Sequence, residues 1–253
     1  MEEKVIGIMG AMHEEINGIV KLMTQVTEFS SGRRTYYKGK INGINAVVVF
    51  SRWGKVAAAI TVSSLIIEFK ITDLIFIGVA GAIHPDLKIG DVIIASRLLQ
   101  HDMDARPLMK QFEIPLLDKT YFDSAADHLN IAEKAVHAVL ANGIHPIIDQ
   151  THIDRFLLYS PQLMKGTIAS GDKFFAEQAD KDALLSALPA LLGVEMEGAS
   201  VAQVCYEYDI PFVVIRIISD ESNTQSVIDF PDFILHVSSK YSAEIIKQMF
   251  FMY

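Results

Sequence analysis

The sequence predicts an α/β fold with a mostly parallel sheet, and two observations support this prediction. Short apolar runs alternate with helical patterns along the whole chain, which is the arrangement expected of successive β-α units. The chain has 253 residues, of which 51% are hydrophobic, so it can bury one large core. We therefore expect a single domain over residues 1–253.

The first hundred residues are predicted to form five strands and two helices. "KVIGIMG" is typical of a buried strand, and a helical pattern follows it from about His13. Asn42 and Gly43 are turn residues of a predicted hairpin between "RRTYYKGKING" and "INAVVVFS". A second helix is expected to start near Gly54, and the runs "DLIFIGVAGAI" and "IGDVIIASRLL" then predict two further strands.

The rest of the chain opens with a region that has no regular pattern. From His101 to Asp123 no period is sustained and two prolines occur, so we predict a long loop. A helix is expected from about Ser124 to Asn142, before Gly143. "GTIASGDKFF", "ALLGVEME" and "IPFVVIRIISD" predict strands, "GASVAQVCYEYD" predicts a helix, and the last helix is expected from about Pro231 to Met249.

Charge and cysteine content narrow the range of functions. The chain has 22 Lys and Arg against 31 Asp and Glu, a net charge of −9, which argues against binding to nucleic acid or to an anionic membrane surface. No apolar run reaches the length of a membrane span, and the first residues do not resemble a signal peptide. The single cysteine, Cys205, is expected to be buried and fits a reducing cytoplasm.

Carboxylates follow most of the predicted strands. Because ligands of such sheets bind beyond the carboxyl ends of the strands, Glu15, Asp172, Glu197 and Asp220 are candidates for one polar site. Arg216 lies inside the last apolar strand, where a buried guanidinium needs a carboxylate partner. From the residues alone, we expect that partner to be Glu15 or Glu197.

Each of these acids also has a plainer interpretation. If the strand continues through Glu197, then Glu195 and Glu197 share a face, but if a helix begins at Gly198, Glu197 lies at a helix N-terminus. A carboxylate has two oxygens and can therefore accept hydrogen bonds from a diol. Asp220 is a loop or cap residue, or a general acid whose apolar surroundings favour the protonated form. Glu15 is a first-turn helix acid, or a general base for water.

Metal and nucleotide motifs do not stand out in the sequence. The run "HDMD" from His101 to Asp104 stands alone, without a second ligand cluster, and the remaining histidines, including His145 and His152, show no ligand spacing. "GVAGA" and "GKVAAA" match neither the dinucleotide fingerprint nor the phosphate-binding loop of ATPases. We therefore expect no metal and no dinucleotide.

The motifs "GIMGAMHEEI", "GKVAAA", "GVAGA", "GDVIIAS", "HDMDA", "ASGDKFF", "VEMEGASVAQVC" and "PFVVIRIISD" occur in this order. From about Lys4 to Met249 the chain resembles the 5′-methylthioadenosine/S-adenosylhomocysteine nucleosidases of the nucleoside phosphorylase superfamily. This resemblance implies a three-layer αβα sandwich around a mixed central sheet. It also implies a cytoplasmic homodimer that hydrolyses the N-glycosidic bond of an adenosine thioether and releases adenine without metal or cofactor.

The resemblance also implies roles for particular residues. Glu15 would activate water, Glu197 would bind the ribose hydroxyls, and Asp220 would protonate adenine at N7. Ten further residues are expected to bind the substrate or shape its site: Met12, Ala80, Gly81, Phe174 (stacked on adenine), Phe175 (backbone at the adenine edge), Glu195, Met196 (against ribose), Arg216 (near the water), Ser219 (before the acid) and Phe230 (closing over the site). The loop from Ala105 to Pro115, with Leu108, would reach the partner subunit's 5′ pocket.

Three positions depart from the family pattern and bear on substrate choice. Val79 stands where many members have a hydroxyl residue, and Arg52 and Trp53 replace a glycine and a small apolar residue. A phosphorylase would need cations to hold phosphate, whereas Glu15 and its acidic neighbour Glu14 would repel that anion. Three alternatives stay open: a phosphorylase, a nucleosidase acting on aminodeoxyfutalosine, and a non-catalytic nucleoside-binding protein.

Overall fold

A central mixed sheet lies between two layers of helices. The computed structural model describes residues 3–175, 177–220 and 226–253, without the side chains of residues 226–229. The strands are β1 Val5–Gly10, β2 Thr24–Ser31, β3 Arg34–Ile41, β4 Ile44–Phe50, β5 Asp73–Ala82, β6 Val92–Gln100, β7 Phe122–Asp123, β8 Leu163–Ser170, β9 Leu191–Glu195 and β10 Phe212–Asp220.

The helices account for most of the remaining described residues. They are α1 His13–Val20, α2 Lys55–Ile67, α3 Ala126–Ala141, α4 Gln150–Phe156, α5 Gln178–Ala187, α6 Gly198–Glu207, α7 Ser226–Phe233 and α8 Ser239–Phe250, with a π-helical segment Ile234–Ser238 between the last two. Within the described ranges, no helix is both long enough and apolar enough to cross a bilayer.

Half of the sheet closes on itself. Strand β5 pairs in parallel with β10, β10 pairs with β6, and β6, β8 and β9 follow in turn until β9 pairs with β5 again. From β5 the sheet continues through β1 and β4 to the antiparallel strands β3 and β2. Parallel and antiparallel pairs both occur, so the sheet is mixed, as the resemblance implied, and the expectation of a mostly parallel sheet is wrong.

Each face of the sheet has its own apolar core. On one face, Ile16 and Ile19 of α1 pack with residues of α3 and α8, including Val136 and Ile245. On the other face, α2 and α6 pack their small and branched side chains, among them Val62 and the buried Cys205, against β5 and β10. The two layers of helices hold the strands firmly, and this fixes the positions at which the strands end.

The predicted elements are present, but several observed elements were not predicted. The hairpin of β3 and β4 turns at Asn42 and Gly43, whose φ angles of 48° and 81° suit the predicted tight turn. The sequence did not predict β2, α4 or α5, which are polar or largely exposed and therefore carry a weak hydrophobic period. It also did not predict the two-residue strand β7, which lies at the end of the loop predicted from His101 to Asp123. The last helical region starts at Ser226, earlier than predicted, and contains Pro231 within α7.

Candidate active site

One cavity of about 360 Å³ opens where β1, β5, β9 and β10 end. The walls are mostly apolar, and the charged groups that line it are four carboxylates, the guanidinium of Arg216 and the ammonium of Lys173. All thirteen residues that were predicted for the site in this chain line it: Met12, Glu15, Ala80, Gly81, Phe174, Phe175, Glu195, Met196, Glu197, Arg216, Ser219, Asp220 and Phe230. The fold therefore gathers residues that are up to 218 positions apart, from 12 to 230.

Glu15 is the most deeply buried acid of the cavity. It lies in the first turn of α1, where its Oε2 accepts the backbone N–H groups of Ala11 and Met12 at 2.6 and 2.9 Å. No described residue hydrogen-bonds its Oε1. Burial raises the pKa of Glu15 to about 7, although the charge of Arg216 and the backbone amides of Met12, Ala11 and Val79 act in the opposite direction. This carboxyl can therefore take up a proton near neutral pH.

A glycine in β5 makes room for this acid. A methyl group built on Gly78 would lie 2.8 Å from Glu15 Oε1, which is closer than a Cβ atom can approach. The missing side chain at Gly78 thus lets the carboxylate lie directly against the end of the strand.

Glu197 lies in the turn between β9 and α6. Because β9 ends at Glu195 and α6 begins at Gly198, the alternative in which the strand continues through Glu197 does not occur. Its Oε1 accepts the N–H of Gly54 at 2.7 Å, and Gly54 directs that amide by means of a positive φ of 91°. Burial first, and then repulsion by Glu195, raise the pKa of Glu197 to about 8.

Arg216 has a different partner from the one expected. Its Nη2 donates to Oε2 of Glu195 at 2.8 Å, and both side chains are almost completely buried. The prediction that Glu15 or Glu197 forms this ion pair is therefore wrong. Arg216 still influences Glu15 through its charge, because it works against the rise in the pKa of that carboxyl.

Both oxygens of Glu195 are occupied by protein donors. Oε1 accepts the hydroxyl of Ser170, and the N–H groups of Glu197 and Gly198 donate to the carboxylate at 3.1 Å and at 2.8 and 3.0 Å. These contacts satisfy amides at the start of α6. Glu195 lines the cavity, but its bonds fix the backbone that carries Glu197 and fix the guanidinium of Arg216.

The remaining acid, Asp220, ends β10. The hydroxyl of Ser219 donates to its Oδ2 at 2.8 Å, and only 4% of each residue is exposed. Ser219, which was expected at the site because it precedes the acid, thus contacts this carboxyl directly. Asp220 therefore enters the cavity from the strand that also carries Arg216.

Aromatic side chains form the opposite wall. The rings of Phe174 and Phe230 meet edge to face, with centroids 6.2 Å apart and an angle of 79°. Phe174 remains 44% exposed, whereas Phe175 is buried and packs edge-on against His101. A half-exposed ring beside a cavity offers a surface on which a flat heterocycle can stack.

Several parts of the site were not predicted from the sequence. Ala11, Lys173, Val194 and Pro231 line the cavity together with Trp53 and Val79, which were noted only as departures from the family pattern. The amide of Gly54 was also missed as a partner of Glu197. The glycine before a helix pattern was a usable signal, because it marks a backbone position that side chains would obstruct.

The three residues predicted for a partner's pocket lie away from this cavity. Ala105, Leu108 and Pro115 belong to the long segment between β6 and β7, and Leu108 is 88% exposed. Their role concerns a second subunit, so it stays a prediction.

A family model described as the phosphorylase superfamily matches residues 5–250. Aminodeoxyfutalosine nucleosidase of Helicobacter pylori strain 26695 is 36% identical over 248 residues, which cover 96% of both chains. The 5′-methylthioadenosine/S-adenosylhomocysteine nucleosidase of Marinomonas sp. strain MWYL1 is 34% identical over 97% of both chains. The solved S-adenosylhomocysteine nucleosidase of Streptococcus pyogenes, in complex with 5-methylthiotubericidin, has a TM-score of 0.84 at 31% identity and covers 99% of this chain and 97% of its own.

Proposed function

Because this chain belongs to the phosphorylase superfamily, we propose that it hydrolyses the N-glycosidic bond of an adenosine-type nucleoside and releases adenine. The observation that carries the proposal is the convergence of Glu15, Glu197 and Asp220 in one apolar-walled cavity. The proposed substrates are 5′-methylthioadenosine and S-adenosylhomocysteine, since several relatives at about one-third identity bear these names.

The chemistry divides among the three acids. As the glycosidic bond breaks, negative charge develops on the base, and Asp220, held by Ser219, protonates adenine at N7 so that it leaves as a neutral molecule. Positive charge develops on the sugar, and the nearby carboxylates stabilise it. Glu197 accepts hydrogen bonds from the ribose hydroxyls, and Glu15 takes a proton from the water that attacks C1′.

The environment of Glu15 suits the role of a base. Its unbonded Oε1 is available to a water molecule, and its raised pKa makes it a stronger base than an exposed glutamate. Arg216 and Glu195 act as positioning residues in this proposal, because their ion pair fixes the charge beside Glu15 and the backbone of Glu197.

Water, and not phosphate, is the proposed nucleophile. The cavity holds several carboxylates, which would repel an anion, and its two cations, Arg216 and Lys173, are paired with Glu195 and Asp180. Arg52, the cation next to the cavity residue Trp53, is exposed and donates to the carbonyl oxygen of Arg33 at 2.7 Å. These contacts support hydrolysis over phosphorolysis.

A second candidate substrate is aminodeoxyfutalosine. The Helicobacter pylori relatives at 35% and 36% identity carry this name, and the same three acids would serve that reaction. The two kinds of substrate differ at the 5′ substituent. We propose that Trp53 of the cavity and the segment between β6 and β7 contact this substituent. We also propose that the protein is a cytoplasmic homodimer, in which Ala105, Leu108 and Pro115 of this segment reach the partner's site.

The test is an assay of free adenine. Purified protein is incubated with 5′-methylthioadenosine, S-adenosylhomocysteine and aminodeoxyfutalosine, each with and without inorganic phosphate, and Glu15→Gln serves as the inactive control. We expect adenine release from a thioether substrate that does not change when phosphate is added. Strict dependence on phosphate, or no release from any of the three, would overturn the proposal.

A further inference from the structure

Outside the cavity, two histidines and an aspartate meet between α4 and the last helical region. His152 lies on α4, Asp232 on α7 and His236 in the π-helical segment. His152 Nε2 is 3.9 Å from Asp232 Oδ2, and His236 Nε2 is 3.6 Å from Oδ1 of the same carboxylate. One donor atom from each of the three residues falls within 4.8 Å of the other two.

The chemical types in this cluster match a preferred metal ligand set. Imidazole nitrogens and carboxylate oxygens bind Zn²⁺ and related divalent transition metals. Asp232 and His236 are four residues apart and so share one helix face, whereas His152 comes from a separate helix. The sequence shows no ligand spacing around His152, because 80 residues separate it from Asp232 and only folding brings them together.

The distances require a small contraction. In a tetrahedral zinc site the ligand atoms lie about 3.3 Å apart. The three side chains are partly exposed, by 18% for His152, 28% for Asp232 and 37% for His236, so they have room to rotate. The rings of His152 and His236 stack with centroids 4.3 Å apart, so at least one ring must turn to direct its in-plane lone pair at a shared ion. Nδ1 of His152 is buried and lacks a hydrogen-bond partner among the described residues.

A neighbouring cation limits the affinity. Arg155 Nη1 donates to Asp232 Oδ2 at 2.6 Å, which leaves Oδ1, the oxygen that faces His236, for a metal. Asp149 provides a second carboxylate nearby. Its pKa is lowered, chiefly by the hydrogen bond from Lys240 and to a smaller extent by His152 and His236. The local charges therefore do not exclude a divalent ion.

We propose that His152, Asp232 and His236 form a binding site for a divalent transition metal ion, separate from the cavity and from the hydrolytic reaction. A bound ion would link α4 to α7, the helix that carries Phe230 and Pro231 into the cavity wall. It would stabilise the fold and hold that wall in place without touching the reacting atoms.

The experiment measures binding directly. Metal-free full-length protein is titrated with Zn²⁺ by calorimetry, and its melting temperature is recorded in Zn²⁺ and in a chelator. His152→Gln and His236→Gln are compared with His145→Gln, which removes an exposed histidine outside the cluster. We expect wild type and His145→Gln to bind one equivalent and to melt at higher temperature with Zn²⁺. The two cluster variants should bind about tenfold more weakly or worse.

The outcomes separate this proposal from the proposed function, because adenine release is not needed for the readout. Melting curves in the chelator show whether each variant folds, and Co²⁺ absorption in the visible range reports imidazole coordination independently. If wild type binds no equivalent of Zn²⁺, or if His152→Gln and His236→Gln bind it as tightly as His145→Gln, the site does not exist.

Discussion

Buried carboxylates lie at both ends of the same strands, and their surroundings are opposite. At the start of β5, Asp73 accepts hydrogen bonds from Thr72 at 2.6 Å and lies 2.9 Å from His128 Nε2 and 3.4 Å from Lys4 Nζ. Burial alone would raise its pKa, but these partners prevail and lower it. At the other end of the sheet, the pKa of Glu15 is raised to about 7, because burial prevails over its partners.

The difference shows that burial does not by itself mark a reactive acid. Asp73 is surrounded by donors and a cation on several sides, so its charge stabilises the fold. Glu15 is completely buried and its burial prevails over Arg216 and the backbone amides, so its charge is costly and it can bind a proton near neutral pH. The balance between burial and partners therefore separates the two carboxylates.

The largest expected effect follows from replacing an acid at the cavity end. Asp220→Asn removes the proposed proton donor, so we expect turnover to fall by about 10²- to 10⁴-fold while the fold is retained. Adenine release and circular dichroism measure the two properties. Asp73→Asn is the matched control and should keep most of the turnover, and near-normal activity of Asp220→Asn would contradict the assigned role.

Replacing the buried Glu15 should stabilise the folded protein above neutral pH. Its folded-state pKa of about 7 lies above the ordinary 4.5, so the native state binds the extra proton and loses stability as pH rises from about 4.5 to 7. Glu15→Gln carries no charge and should be more stable than wild type by on the order of 3 kcal/mol at pH 8, with little difference at pH 4.5. Urea unfolding at both pH values tests this, and an equal effect at both would refute it.

Asp73→Asn should do the reverse and destabilise the protein at neutral pH. The pKa of Asp73 is lowered in the folded state, so its contribution is present above the ordinary value and is lost as pH falls through the lowered one. We expect a loss of about 1–3 kcal/mol at pH 7 and a smaller loss in acid. The same unfolding measurements give the answer, and a gain in stability at pH 7 would remove the contrast between the two ends.

The pH dependence of catalysis gives a smaller but sharper comparison. If Glu15 is the base, kcat/KM should rise with pH through an apparent pKa of about 7, because the carboxyl must first lose its proton. A profile measured from pH 5 to 9 with a thioether substrate checks this. An acid limb near 4.5 would mean that the group behaves as an exposed glutamate.

The smallest expected effect concerns substrate choice at Trp53. This side chain lines the cavity but is 62% exposed, so Trp53→Ala should change KM for substrates with different 5′ groups more than it changes kcat. Arg52→Ala serves as a control, since Arg52 is adjacent but donates away from the cavity to the carbonyl oxygen of Arg33. An equal loss for every 5′ substituent would show that Trp53 does not discriminate among them.

The sequence predicted the contents of the cavity better than its internal contacts. Carboxylates at strand ends and the order of the motifs identified Glu15, Glu197 and Asp220, because the position of a residue along an element follows from the local pattern. The ion-pair partner of a residue does not follow from the local pattern. Arg216 pairs with Glu195 because β9 closes the ring against β5, which is a long-range contact without a local signal.

The fold shows the same limit. The buried strands were evident from their apolar runs, whereas β2 could not be recognised because Val26 and Phe29 are exposed on a strand at the sheet edge. The ring closure and the grouping of His152 with Asp232 and His236 depend on tertiary packing, which periodicity does not report.

The π-helical segment Ile234–Ser238 lies between two parts of one continuous helical region, one packed in the core and one beside the cavity. Beyond it, Tyr241 and Ile245 are locked into the core, while before it Phe230 meets Phe174 over the cavity. A wide turn accommodates one surplus residue, and in a regular helix one residue corresponds to a rotation of about 100°. A single insertion or deletion in this segment would therefore rotate Phe230 over the cavity without shifting Tyr241 and Ile245 in the core.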